Sequence, residues 1–298
     1  MLKIVSTFQK TTLFIFVLCL VSFVGTVEAN EVPNTPGQGQ GHGPPEEFRE
    51  NVLDFRELPE PKGKKISDPL EDEIIGELVR EKARNRNVDA DKLVNDIQVW
   101  KEKVEAPKLQ TETKGNAVHK ANYVIEFGYD LVCIDDGDIE LESNGCAFVE
   151  EDTGGSDNYY TDGGNVVLSQ HLRVDFEYWE PHDNNEPAYV LQRAYTWWQR
   201  DSLNWSVNDA VLTKSVAGFH CETSRSEPGV TAENHIGTPA WSNEDPNFTL
   251  VYEEDGLSNL DPYIPAYMDH PMFAQVESTV LEGPTEVRSD WPTRYDFN

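Results

Sequence analysis

Positive charge is what this sequence has least of. Its 298 residues carry 24 Lys plus Arg against 54 Asp plus Glu, a formal charge of −30. Nucleic-acid binding by counterion release needs a basic face, and this balance leaves no surplus to build one. Long apolar runs are also scarce. The run from Leu13 to Val24 is well short of the roughly 20 residues that cross a bilayer, and no later stretch is more apolar. Familiar catalytic and metal spacings are missing too. There is no H-E-x-x-H, no C-x-x-C, no paired Cys/His set for zinc and no G-x-S-x-G elbow. No internal repeat is present.

Cysteine is sparse, and its placement matters. Cys19 lies in the first apolar run. Lys3 and Lys10 precede that run, and Val27-Glu28-Ala29 supplies small residues at −3 and −1 of a cleavage point before Asn30. This is the pattern of a secretory signal peptide over 1–29. It predicts a secreted or cell-surface product, where a disulfide can persist. Cys133, Cys146 and Cys221 then remain. Cys133 and Cys146 bracket a short acidic loop and are the favoured pair; the alternative is that all three are small core residues.

What is present divides by composition. Residues 30–66 are rich in Pro, Gly and Gln, which predicts a flexible tether. Asp68-Pro69 opens a helical pattern with Leu70, Ile74, Ile75, Leu78 and Val79 on one stripe. Asp89 opens a second, with Leu93, Ile97, Trp100 and Val104. Together they predict a short helical hairpin over 67–106, followed by a linker over 107–120.

From Ala121 the period changes to two. Tyr123, Ile125, Phe127, Tyr129 and Leu131 alternate with more polar neighbours, as do Val174, Phe176 and Tyr178, and later Met272, Ala274 and Val276. Asp136-Gly137, Asn144-Gly145 and Asp162-Gly163 supply turns. The fold class is mostly β: an antiparallel sandwich or jelly-roll-like domain over 121–298.

The acidity belongs to that domain. Residues 121–298 hold 34 acids against 7 Lys plus Arg, with Lys214 the single lysine, while ten lysines lie between 62 and 120. Asp135, Asp136 and Asp138 crowd one loop; Asp152, Asp157 and Asp162 surround a Gly-rich stretch. Oxygen-rich loops of this kind suit calcium, which takes six to eight oxygen ligands, although neither has EF-hand spacing. The bland alternative is a solvated acidic surface. His220 and Cys221 are neighbours, but on a strand they point to opposite faces and form no dyad. His182-Asp183 and Asp269-His270 offer a metal or acid–base role, or are surface groups.

Six of the seven tryptophans lie in the β domain. Trp198 and Trp241 are the candidates for a ligand-facing aromatic platform, against the alternative that they fill the core. Asn204 and Asn247 head N-x-S/T triplets, so both are candidate glycosylation sites. The combined reading is a non-enzymatic extracellular binding or structural protein, its cation-binding loops serving matrix, mineral or glycan. Two alternatives stand beside it: a secreted hydrolase made with a pro-region over 30–120, and a secreted toxin or its precursor.

Overall fold

The computed structural model describes residues 52–53, 58–86, 89–94, 97–104, 113–114, 117–133, 146–149, 165–181, 186–220, 226–265 and 272–297. All lie in one compact unit, Pro44–Asn298. The signal-peptide segment and the first part of the expected tether lie outside them.

In chain order the elements are β1 (Val52–Leu53), β2 (Lys64–Lys65), a 3-10 turn (Pro69–Glu71), α1 (Glu73–Arg86), α2 (Ala90–Val94) and β3 (Ile97–Lys103). Then follow β4 (Thr113–Lys114), β5 (Ala117–Cys133), β6 (Cys146–Val149), β7 (Asn165–Pro181), β8 (Ala188–Arg200), β9 (Trp205–His220) and β10 (Ser226–Gly237). The chain closes with β11 (Val251–Glu254), β12 (Tyr263–Pro265), β13 (Phe273–Glu282) and β14 (Thr285–Asp296). Every pairing is antiparallel, and the strands form one continuous sheet.

That sheet folds into two layers. One layer runs β2-β3-β5-β7-β8; the other is β14-β13-β9 with β10 on its far edge. The short β12 pairs with both β8 and β9 and joins the layers. The expected antiparallel β fold is therefore present.

Alternation dictates the core. On β5, Tyr123, Ile125, Phe127 and Leu131 face inward, opposite Phe176, Val174, Leu172 and Leu168 of β7. From the second layer Val276, Trp291, Tyr295 and Leu212 meet them in one apolar cluster. At its centre Gln170 is fully buried and fully satisfied. Its Nε2 donates to Trp291 O at 2.9 Å and Thr293 Oγ1 at 2.8 Å, while its Oε1 accepts from Trp198 Nε1 at 2.8 Å and Ser278 Oγ at 2.6 Å. A buried amide with no spare valence fixes how the layers register.

The helical part differs from expectation. Helix α1 forms where its stripe predicts, with Asp72 accepting from the N–H groups of Ile74 and Ile75 as its cap. Of the second expected helix only its start forms, as α2 (Ala90–Val94); its later part, residues 97–103, is strand β3, whose seven residues pair with Ala121–Phe127 of β5. Their Ile97, Val99, Lys101 alternation fits a strand as well as Leu93-Ile97-Trp100 fits a helix, and the open edge of β5 decides the matter. The boundary expected at 121 accordingly falls inside β5. The tether reading is also too long: Ile66 N donates to Val99 O at 2.8 Å, and Leu58 packs on the outer face of the sheet.

Candidate functional site

The acidic loops are best located through the strands that carry them. Cys133, the last residue of β5, stands opposite Cys146 of β6 on one side and Asn165 of β7 on the other. The segment holding Asp135, Asp136 and Asp138 leaves and re-enters the sheet at this end. The segment holding Asp152, Asp157 and Asp162 runs from β6 to β7, which begins at the same end. These six aspartates lie outside the described residues, as do Cys221, His182-Asp183 and Asp269-His270.

The aromatic candidates fare differently. Trp198 is buried in the core with its indole N–H bonded to Gln170, so it is not a ligand platform. The reason is that both faces of β8 are covered. Trp198 points inward, while Trp197 points outward and stacks on His171 at 5.0 Å, with Val251 of the adjoining β11 in the same cluster and Leu58 packed against it. Trp241 is half-buried, with the Arg200 guanidinium 3.6 Å above its ring centre. Its face is therefore occupied by a cation. Asn204 is exposed in the turn between β8 and β9, and Asn247 is half-buried, its carbonyl accepting from Arg200 N at 2.9 Å.

Sequence reasoning missed a row of charges across the outer face. Glu126 of β5, Arg173 of β7, Tyr195 of β8 and Glu253 of β11 are successive cross-strand partners. Arg173 is almost wholly buried. It pairs with Asp175 at 2.9 Å, lies over the Tyr195 ring, and donates to the carbonyl of Pro59. Burial raises the pKa of both Asp175 and Glu126, against the opposing pull of Arg173. Burial likewise lifts the Tyr195 hydroxyl to about 12 and lowers the pKa of the His171 imidazole. The Pro59 carbonyl and Leu58 lie across this row, so its polarity serves to fasten the N-terminal segment onto the sheet. A buried cation needs several acceptors, and Arg173 draws them from two segments far apart in sequence.

A second fastening is Asp72. Burial pushes its carboxyl up, but Lys101 at 2.6 Å, the α1 N–H groups and Tyr123 outweigh this and hold it below the ordinary value. Among the described residues no three His, Cys, Asp or Glu side chains gather as a metal site requires, and no helix is long and apolar enough to cross a membrane. No family model, curated protein or solved structure matches this chain.

Proposed function

We propose that this chain is an exported extracellular or cell-surface binding protein whose acidic loops hold calcium or another divalent cation, in the service of a matrix, mineral or glycan partner. The observation that carries the reading is the register around Cys133. It brings both anchors of the first acidic loop and the β7 anchor of the second to one end of three adjacent strands, while the second loop leaves β6 a little further in, at Val149 opposite Asp130. Directly opposed residues of an antiparallel pair have Cα atoms about 4.5 or 5.5 Å apart, within the range a disulfide accepts. A Cys133–Cys146 bridge would close the first loop at its base and lower the entropy of gathering its ligands.

The hydrolase reading with a removable pro-region is the weaker one, because residues 58–104 contribute two strands and the helices to the same sheet and core. The test is a calcium titration of the chain from Asn30, followed by thermal melting at fixed ionic strength. A ligand selective for the native state adds about 2.7 kcal/mol at 100 times its dissociation constant. Saturable stabilisation by calcium but not by sodium, weakened after reduction with dithiothreitol, is the expected result. Equal effects of the two salts would end the cation reading.

A further inference from the structure

Lys214 is the single lysine of residues 121–298, and it is wholly buried. It sits mid-strand on β9, between Leu212 and Val216, which belong to the core. A lysine is almost never wholly buried unless it is paired. Among the described residues its Nζ has one acceptor, the Gln192 carbonyl of β8 at 2.9 Å, and no carboxylate at ion-pair distance. Burial pushes its pKa down to about 8, against the pull of Glu254, Asp255 and Glu253. A share of the molecules therefore carries a free amine, which is a nucleophile. Two further polar side chains are buried beside it: Asn234 is 9% exposed and Glu254 6%. On β10, Ala232 stands opposite Lys214 and Asn234 opposite Leu212, so Asn234 is the diagonal neighbour of Lys214 on the same face. Such neighbours are roughly 7–8 Å apart, within reach of a long side chain. The Asn234 amide donates to Glu253 O of β11 at 2.8 Å, and β11 pairs with β8, so both side chains reach the same two strands. The Glu254 carboxyl comes down over Ala232: a Cβ on Gly256 would meet Glu254 Oε1 at 2.6 Å and the Ala232 methyl at 2.9 Å.

We infer that Lys214 and Asn234 form an autocatalytic cross-link site, where an isopeptide bond joins β9 to β10 and Glu254 relays the proton. The Lys214 side chain turns from the Gln192 carbonyl to its diagonal neighbour, and its neutral Nζ attacks Cγ of Asn234. As the Nζ–Cγ bond forms, the Glu254 carboxylate takes a proton from Nζ. It passes that proton to Nδ2, the Cγ–Nδ2 bond breaks, and ammonia leaves. Amine and primary amide become secondary amide and ammonia, with no oxidant or cofactor, and Glu254 ends as it began. Burial favours the step in two ways. Held side chains need no encounter, which replaces concentration by geometry. A dry surrounding also keeps water from competing for the intermediate. The product removes a buried charge that has no ion-pair partner among the described residues, a relief that a surface lysine would not gain.

The inference is independent of the acidic loops and holds whether or not they take calcium. The experiment is intact-mass spectrometry of the folded chain from Asn30, kept at mildly alkaline pH for several days, beside the variants Lys214→Met and Glu254→Gln. The parent should be lighter by the mass of one ammonia. Trypsin should then fail at Lys214 and leave residues 201–225 joined to residues 226–288 in one branched peptide. Lys214→Met removes the nucleophile and keeps an apolar chain of similar length, and Glu254→Gln removes the relay. Both should keep their full mass. The mass and the branched peptide of the parent decide the matter even where a variant fails to fold. Full mass in the folded parent, an ammonia loss that persists in Lys214→Met, or a loss of water joining Lys214 to Glu254 instead would overturn the inference. A cross-link that forms as fast in Glu254→Gln would overturn the relay.

Discussion

Cutting the chain ahead of β4 is the most informative perturbation. It removes α1, α2 and β3, and with them five large apolar side chains that are buried in the core: Ile74, Ile75, Val79, Leu93 and Val99. Burying such a side chain contributes about 1.5–3 kcal/mol, so the five together contribute about 8–15 kcal/mol. Deducting about a third for burial already present in an unfolded chain leaves about 5–10 kcal/mol. A whole domain is stable by about 5–15 kcal/mol, so the loss is of the size of the total. The cut also strips seven residue pairs from the edge of β5 and leaves a long row of unpaired N–H and C=O groups. Tyr123 loses Asp72 and Lys101, and Arg173 loses the Pro59 carbonyl. Residues 52–298 and 113–298 would be produced in parallel and compared by near-UV circular dichroism and urea melting. The longer chain should unfold in one cooperative transition; the shorter should show none and aggregate. If 113–298 melts cooperatively within about 2 kcal/mol of the longer chain, the N-terminal elements are an appendage, and the pro-enzyme reading regains its ground.

Two further substitutions probe the outer face. Gly128 lies opposite His171, and a Cβ there would sit 2.7 Å from the imidazole Nδ1. That ring is held by Trp197 and by Gln199 at 3.1 Å, so Gly128→Ala should cost about 1–3 kcal/mol in urea melts; no loss would mean that the ring is free to retreat. Burial raises the Glu126 carboxyl above its ordinary value of 4.5, so the folded state holds this proton more tightly than the unfolded state. Its contribution to stability is therefore full below pH 4.5 and is lost as pH rises through the folded-state value. Glu126→Gln should melt a few degrees above the parent at pH 7 and level with it below pH 4.5; the opposite order would show that Arg173 wants a charged partner there.

The strands were easy to read where one side chain in two is polar. Tyr123-Ile125-Phe127 and Val174-Phe176-Tyr178 alternate because the sheet's two faces meet different surroundings. Reading failed where a face is covered by chain that looks like linker. Trp198 suggested an aromatic left over for a ligand, yet it fills the core, and on the other face Leu58 packs over Tyr195, Trp197 and the neighbouring Val251; no alternation in β8 announces this. Nor does composition disclose that Pro59, unable to donate a hydrogen bond, is useful through its carbonyl. Strand β3 was misread because Ile97 and Trp100 fit both periods, and a vacancy beside β5 is a property of the fold. The acidic loops were legible as composition; their common origin at Cys133 is a matter of register, which local sequence does not carry.

Gln170 sets the timetable by which this protein can come into being. Its partners Trp291 and Thr293 lie near the end of the chain, and β1 near the beginning pairs with β11. A growing chain therefore cannot close its central amide until almost all of it has been made. Until then the halves of the core have nothing to pack against, and strand edges as long as β5 stay open. A topology dominated by such long-range pairings is expected to fold slowly and to be exposed to misassembly during the wait. The same delay leaves the chain without its fixed core, and a polypeptide in that condition can still be threaded through a narrow channel.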